Sequence, residues 1–285
     1  MQSPLLTRRS LLRGLGLSLV GAPILLNACS DVGNDASVDA SAGSSDAGNT
    51  DTGTTDSGTT GDGAVSTDWA TGGTAAMTAL AAYPDPFTGA GSCLALQQTT
   101  AGPCTTATTL ARVDVSEGLD GLPVRLALKL IDKTTCDPIA GATIQIWHTK
   151  FNGVYSGVTP NPQMCYGNEA SAASQMFMRG SQVTDADGVV YFNTCFPGWY
   201  RGRAIHIHFQ VTVNGTSTEV SQLFFPEALT AAIFTSHPVY ASFGQPDTSL
   251  TSDNIIGSVS DKSPYILDYA RMTDGAMLAS KILTA

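Results

Sequence analysis

The chain has 285 residues and a formal net charge of −10, with 14 Lys and Arg residues against 24 Asp and Glu residues. This length is enough for one large domain or two small ones. Eight aspartates between positions 31 and 68 carry much of the acidity, and the rest of the chain is mildly acidic with no cluster of Lys or Arg. Because nucleic-acid binding requires neutralisation of phosphates, the composition argues against a nucleic-acid partner.

Residues 1–29 have the features of an export signal. The twin-arginine pattern TRRSLLR at 7–13 is followed by an apolar stretch too short to cross a bilayer comfortably. Residues 26–29, LNAC, resemble a lipobox with Cys29 as the lipidated residue, whereas an ordinary secretory signal would be cleaved near Ala28. We expect export by the twin-arginine route to the periplasm or the cell surface, with membrane contact only through a lipid anchor at Cys29.

Residues 30–68 consist mainly of Asp, Gly, Ser, Thr and Ala, with no basic and no aromatic residue. Such a segment cannot bury enough apolar area to offset its loss of conformational entropy on ordering. We therefore predict a disordered acidic tether over 30–68. The remaining residues, 69–285, are predicted to form a single domain.

The pattern of the domain favours strands over helices. A short helix is predicted around residues 74–82, ended by the sequence YPDP, and a second over residues 226–234. Segments with period-two alternation predict strands at 122–131, 142–147, 189–193, 204–213 and 219–225. The sequence DADG at 185–188 suits a tight hairpin turn. Short strands with Gly-rich turns are typical of an all-β sandwich, here with short peripheral helices and long loops.

The cysteines leave the disulfide pairing open. If Cys29 is lipidated, five cysteines remain, so at most two disulfides form and one thiol is left over. These five are Cys93, Cys104, Cys136, Cys165 and Cys195.

Two of the four histidines, His206 and His208, lie two residues apart on a predicted strand. Residues i and i+2 of a strand share a face, so both imidazoles point the same way. Two adjacent buried imidazoles are satisfied either by a bound cation or by hydrogen bonds within the core. Both interpretations remain open on spacing alone.

Tyrosines, rather than carboxylates, lie near this histidine pair. No Asp or Glu occurs between Asp187 and Glu219, whereas Tyr200 immediately precedes the histidine strand and Tyr155 lies in a turn-rich segment. A phenol ionises near pH 10, so a tyrosine ligand requires a hard, highly charged metal ion. Two phenolates with two imidazoles would favour iron(III), although a buried core tyrosine is the ordinary alternative.

Several motifs in the same order resemble the intradiol ring-cleavage dioxygenases, a family that includes protocatechuate and catechol dioxygenases. The resemblance covers about residues 100–244. Its motifs are AGA at 140–142, IWH at 146–148, GVYSG at 153–157, RGSQVTDADG at 179–188, PGWYRGRAIHIH at 197–208 and QLFFP at 222–226.

The resemblance implies a β-sandwich core that holds Fe(3+) and an enzyme that uses O2 to cleave a catechol-type ring. Cleavage would fall between the two hydroxylated carbons, giving a muconate-type dicarboxylate that contains both oxygen atoms, as part of aromatic compound catabolism. The implied metal ligands are Tyr155, Tyr200, His206 and His208. The implied catalytic residues are Tyr200, Arg203 and Gln222.

The sequence also departs from this family. Only five residues separate Tyr200 from His206, fewer than in catechol and protocatechuate dioxygenases, and this short loop resembles an exported bacterial subgroup. In the family an aromatic residue follows this Gly-Pro step, and in this sequence Cys104 takes its place. The change alters one wall of the substrate pocket or fixes that wall through a disulfide. These departures support an alternative, an exported non-catalytic β-sandwich module that binds an aromatic or glycan ligand.

Three arginines have open roles. Arg203 lies three residues before His206, so its side chain faces the pocket only if the chain bends at 203–204. Arg179 and Arg201 are candidates for binding a substrate carboxylate or for ordinary surface solvation. The natural catechol and the oligomeric state stay undetermined.

Overall fold

The computed structural model describes residues 68–89, 96, 98–107 and 109–285. The predicted export signal, all but the last residue of the predicted tether, and Cys93 lie outside the described residues. The domain boundary at residue 69 therefore stays a prediction. None of the helices in the described part of the chain is both long enough and apolar enough to cross a bilayer.

The described residues form two four-stranded sheets. The strands are β1 (Pro123–Ile131), β2 (Thr143–Trp147), β3 (Arg179–Val183), β4 (Val189–Cys195), β5 (His206–Val213), β6 (Thr216–Phe224), β7 (Asp268–Arg271) and β8 (Met277–Thr284). One sheet has the order β4-β1-β8-β7 and the other has the order β3-β2-β5-β6. The β1–β8 pair is parallel and the remaining pairs are antiparallel. The predicted all-β sandwich is thus confirmed.

Alternating apolar residues from both sheets form the main core. Val124, Leu126 and Leu128 of β1 are fully buried, as are Ile144 of β2 and Ile207 of β5. In β5 the alternate residues are the two histidines, so they lie on the opposite face of the sheet, away from this core. That outer face carries the candidate site.

Two helices and five 3-10 turns accompany the strands in the described residues. The helices are α1 (Pro162–Tyr166) and α2 (Glu227–Ser236), and the 3-10 turns are Gly73–Ala76, Leu80–Ala82, Ala170–Ser174, Ala241–Phe243 and Ser263–Tyr265. Helix α2 agrees with the helix predicted at 226–234.

The helix predicted at 74–82 is wrong, because two separate 3-10 turns occupy this region. The physical reason is that a residue distant in sequence accepts a backbone hydrogen bond that a helix would need. The carboxylate of Asp274 accepts a hydrogen bond from the Ala79 N–H at 3.0 Å and another from the Tyr83 hydroxyl. The first of these interrupts the local i→i−4 pattern that a continuous helix needs.

All five predicted strands start and end within a few residues of the predicted positions, but three further strands were not predicted. Strand β3 contains the polar sequence RGSQV, which has no apolar alternation. Strands β7 and β8 lie near the C-terminus, and β8 pairs with both β1 and β7. A tight turn is present at 185–188, where Gly188 N–H donates to the Asp185 carbonyl at 3.1 Å. The predicted hairpin is wrong, because β3 and β4, the strands on either side of this turn, belong to different sheets.

A disulfide joins Cys104 to Cys165. Cys136 is disulfide-bonded as well, and Cys195 is a buried free thiol. The described cysteines therefore agree with the expectation of at most two disulfides and one thiol left over, counted from residue 30 onward.

Candidate metal centre

The two histidines of β5 converge at the start of the strand. His206 is 3% exposed and His208 is 2% exposed, and their Nε2 atoms are 3.1 Å apart. The shared face follows from the two-residue spacing, as expected for a strand. A row of cross-strand partners surrounds them, because His208 pairs with Trp147 of β2 on one side and with Gln222 of β6 on the other.

The hydrogen bonds of His206 define which ring nitrogen is free. Its Nδ1 lies 2.6 Å from the carbonyl oxygen of Ala204, which can only accept a hydrogen bond. Nδ1 therefore carries the proton in the neutral ring, and the lone pair of Nε2 points into the site. Within the described residues, Nδ1 of His208 has no hydrogen-bond partner.

Both tyrosines reach the same point from loops that pack closely together. The Tyr155 Oη lies 3.2 Å from His206 Nε2, and the Tyr200 Oη lies 3.4 Å from the same nitrogen. The two phenol rings contact edge to face at 5.7 Å. Gly153 has φ +81° and sits against the Trp199 carbonyl, where an added Cβ would be 2.1 Å from the oxygen. Glycine is required at this contact, and the contact brings the two tyrosine loops together.

Arg203 enters the site through a bend before β5. Asp253 accepts hydrogen bonds through one oxygen from Arg203 Nε at 2.9 Å and from the Ala204 N–H at 2.8 Å. Arg203 also donates through Nη1 to Tyr200 Oη at 3.4 Å and through Nη2 to the side-chain oxygen of Gln222. Gln222 Nε2 in turn donates to the Thr100 carbonyl at 3.0 Å. The guanidinium therefore faces the site, as the proposed bend at 203–204 requires.

Asp253 was not identified from the sequence. It is 2% exposed and lies fifty residues after Arg203, in a segment whose composition is typical of a surface loop. No local pattern connects it to the histidine strand, and only the tertiary structure reveals the ion pair. Burial alone would raise the pKa of Asp253, but Arg203 and three backbone N–H groups lower it below its ordinary value.

Burial dominates the electrostatics of the four candidate ligands. Burial raises the pKa of Tyr155 well above its ordinary value and also raises the pKa of Tyr200. Burial, followed by the charge of Arg203, lowers the pKa of His206 to about 3, and burial lowers the pKa of His208 well below its ordinary value. In the protein alone all four groups are neutral at neutral pH.

This donor set suits one kind of cation. Across the described residues, no group of three or more His, Cys, Asp or Glu side chains is arranged to hold a metal ion. The converging donors are instead two phenol oxygens and two imidazole nitrogens, with the lone pair of His206 Nε2 directed at the phenols. Deprotonating buried phenols requires a hard, highly charged cation. The residues present therefore fit Fe(3+) better than a divalent ion such as zinc.

Two further residues contact His208. The Trp147 ring stacks on the His208 ring at 5.0 Å with an interplanar angle of 3°. Gly102 is also close to this ring, because an added Cβ would be 3.3 Å from His208 Cε1. His208 thus packs against a tryptophan of β2 and a glycine of the loop that carries Cys104.

The remaining histidines are structural. Both ring nitrogens of His148 are occupied at 2.8 Å by the Thr149 carbonyl and the Thr194 hydroxyl. His237 Nε2 lies 3.0 Å from the Ala70 carbonyl. Neither side chain hydrogen-bonds to a candidate ligand.

Of the two arginines considered for binding a substrate carboxylate, Arg179 and Arg201, only Arg201 is exposed. Arg179 is 1% exposed, so surface solvation is wrong for it. Its guanidinium instead forms hydrogen bonds with other protein groups. It donates to the Ser156 carbonyl and to the Cys104 carbonyl.

Comparison with known proteins places the chain in a family. Residues 100–257 match the family model described as dioxygenase. The chain belongs to the intradiol ring-cleavage dioxygenases. The family predicted from the sequence motifs is confirmed, whereas the roles of the six site residues stay predictions.

The similarity extends to curated relatives and to solved structures. Chlorocatechol 1,2-dioxygenase from Rhodococcus opacus is 27% identical over 111 residues, covering 32% of this chain and 39% of the relative. The enzyme of the same name from Pseudomonas putida is 28% identical over 109 residues, covering 32% and 38%. The match thus spans about two fifths of these relatives. An intradiol ring-cleavage dioxygenase from Tetranychus urticae is 27% identical with a TM-score of 0.59, covering 67% of this chain and 94% of that chain.

Proposed function

We propose that this protein is a non-haem iron(III) dioxygenase that cleaves a catechol-type ring between its two hydroxylated carbons. The product would be a muconate-type dicarboxylate containing both atoms of O2. The observation that carries the proposal is the convergence of two phenol oxygens and a second imidazole nitrogen within 3.1–3.4 Å of His206 Nε2. The names of the relatives support the substrate class.

Fe(3+) would be held by Tyr155, Tyr200, His206 and His208. When bound, it would supply the positive charge that keeps phenols and a catechol ionised and the means of drawing electron density from the aromatic ring. The protein contributes a pre-arranged set of donors, because all four side chains are already directed at one point and three of them, Tyr155, His206 and His208, are buried.

The two tyrosines have different surroundings and therefore different proposed roles. Tyr155 is 1% exposed, so it would remain a ligand throughout. Tyr200 is partly exposed, and Arg203 Nη1 donates to its oxygen at 3.4 Å. The Tyr200 oxygen would accept a proton from the incoming catechol, acting as a positioned general base.

Arg203 would stabilise negative charge that develops on the substrate ring, and Gln222 would hold the guanidinium in place. Asp253 neutralises one edge of the guanidinium, while Nη1 is directed at Tyr200 and Nη2 at Gln222. A fixed cation of this kind costs no reorganisation when the reaction occurs.

A Tyr155→Phe variant tests the proposal. Full-length protein would be purified and loaded with iron, and its visible and EPR spectra recorded before and after catechol is added, together with O2 uptake. The wild type should show a tyrosinate-to-iron absorption band that changes with catechol, and 18O2 should place both labelled atoms in the product. Tyr155→Phe should lose at least about 100-fold in rate, because a metal ligand is removed.

The control is Tyr240→Phe, which removes a fully buried phenol that donates to the Phe196 carbonyl and makes no contact with the candidate ligands. It should keep the band and the rate. A wild-type protein that stays colourless after iron loading would contradict the enzyme. If that protein bound aromatics equally well with and without Tyr155, the non-catalytic binding module would replace it.

We also propose that the protein is exported by the twin-arginine route and anchored through Cys29, so that aromatic compounds are degraded outside the cytoplasm. The support is the sequence of residues 7–13 and 26–29. Replacing Arg8 and Arg9 by Lys should retain the protein in the cytoplasm, and Cys29→Ala should release it from the membrane fraction. Unchanged fractionation of both variants would contradict the proposal.

A further inference from the structure

Arg179 is a buried arginine whose charge has no carboxylate partner. It lies at the start of β3, directly across from Trp147 of β2. Among the described residues, the ion pairs join Arg112 to Glu117, Lys150 to Glu169 and Arg203 to Asp253, and none includes Arg179. Its Nη1 has no hydrogen-bond partner in the same part of the chain. An uncompensated buried charge is costly, so its presence requires an explanation.

The guanidinium is held in one orientation by the two loops that surround Tyr155. Nε donates to the Ser156 carbonyl at 2.9 Å, and Nη2 donates to the Cys104 carbonyl at 2.6 Å. The disulfide connects Cys104 to Cys165, whose carbonyl accepts the Tyr155 N–H at 2.8 Å. Arg179 is therefore tied on both sides to the segment that carries Tyr155.

This orientation places a positive charge beside one phenol in particular. The guanidinium carbon lies 5.8 Å from the centre of the Tyr155 ring. Tyr166 is also near, but its hydroxyl donates to the Gly157 carbonyl and accepts the Thr159 N–H, so its proton is held by an acceptor. Tyr155 directs its oxygen at the candidate metal position instead. An ionised Tyr155 would be the missing counter-charge of Arg179.

We propose that Arg179 is a positioning residue for Tyr155, and that its fixed positive charge beside the Tyr155 ring strengthens the hold of this ligand on the metal. This inference rests on the proposed function. Burial lowers the pKa of Arg179 only to about 10, which leaves it protonated at neutral pH. The charge of Arg203 also lowers the pKa of Tyr155, but that guanidinium is paired with Asp253, whereas Arg179 has no carboxylate partner among the described residues.

The test compares Arg179→Gln, Arg179→Lys and Arg112→Gln in iron-loaded, full-length protein. Glutamine removes the charge but keeps N–H donors for the Ser156 and Cys104 carbonyls. Lysine keeps a positive charge but cannot donate to both carbonyls in the same geometry. Arg112 is the matched control, since it also donates to backbone carbonyls, those of Arg179 and Met176, but its charge is paired with Glu117. The readouts are the position of the tyrosinate-to-iron band and the loss of iron to a chelator.

We expect Arg179→Gln to move the band to longer wavelength, because a phenolate without a neighbouring positive charge gives up an electron more easily. Its iron should be lost to the chelator roughly 10- to 100-fold more readily, the usual effect of removing a group that supports a metal ligand. Arg179→Lys and Arg112→Gln should keep the wild-type band. If Arg179→Gln does not fold, a shifted band in Arg179→Lys overturns the inference and an unshifted one supports it.

An unshifted band in folded Arg179→Gln, or an equal shift in Arg112→Gln, would overturn the inference while leaving the proposed function intact. A wild-type protein that shows no band at all would overturn the proposed function and the inference with it. The two failures are therefore distinguished by the wild-type spectrum.

Discussion

At the scale of single residues, the ion pair between Arg203 and Asp253 organises the approach to β5. The distance between Arg203 Nε and the Asp253 oxygen is 2.9 Å, and both side chains are nearly inaccessible to water. The same oxygen of Asp253 accepts the Ala204 N–H, so one carboxylate holds both the guanidinium and the bend before His206. Removing one partner of a buried pair leaves the other charge unpaired in a dry environment.

Asp253→Asn should therefore lower the free energy of unfolding by about 3 kcal/mol at pH 7, the usual cost of breaking a buried ion pair. The pKa of Asp253 is lowered in the folded protein, so its contribution is present at neutral pH and is lost as the pH falls through the ordinary and then the folded-state value. The difference from wild type, measured by urea unfolding, should shrink below about pH 4.

The control for this measurement is Glu117→Gln, which breaks the more exposed pair with Arg112. Solvent screens that pair, so the cost should be below about 1 kcal/mol. Equal losses in the two variants would show that burial does not set the strength of the Arg203–Asp253 pair.

At the scale of secondary-structure elements, the site depends on the packing of loops as well as on strand β5. His206 and His208 are placed by the two-residue period of a strand, which the sequence displays directly. Tyr155 and Tyr200 are placed by loop packing at Gly153, and the Cys104 loop covers His208. The disulfide from Cys104 to Cys165 connects this covering loop with helix α1, across a sequence separation of 61 residues.

Replacing both Cys104 and Cys165 by Ser should lower the free energy of unfolding by up to about 4 kcal/mol, because a cross-link of this loop length restricts the unfolded chain. Thermal and urea unfolding under non-reducing conditions would measure the loss. Cys195→Ala is the matched control, since Cys195 is a buried free thiol and forms no cross-link. A double variant as stable as wild type would contradict a stabilising role for this disulfide.

At the scale of the whole molecule, the two sheets are completed by segments distant in sequence. Strand β8, near the C-terminus, lies between β1 and β7, and its pairing with β1 is parallel. A parallel neighbour cannot come from a hairpin, so nothing in the local sequence of β1 indicates it. The helix predicted at 74–82 is absent for a similar reason, because Asp274, nearly two hundred residues away, accepts a hydrogen bond from the Ala79 N–H.

Local periodicity and side-chain chemistry thus determined part of this protein by themselves. The apolar alternation indicated the sandwich, the spacing of His206 and His208 placed two imidazoles on one face, and the ordered motifs predicted the family. These features depend on neighbours within a few residues, which the sequence shows directly. Only the tertiary structure decided the ion pair of Arg203 with Asp253, the burial of Arg179 and the Cys104–Cys165 cross-link. Each of these joins residues fifty or more positions apart in the chain, or depends on how loops pack over a sheet, and no local pattern encodes such contacts.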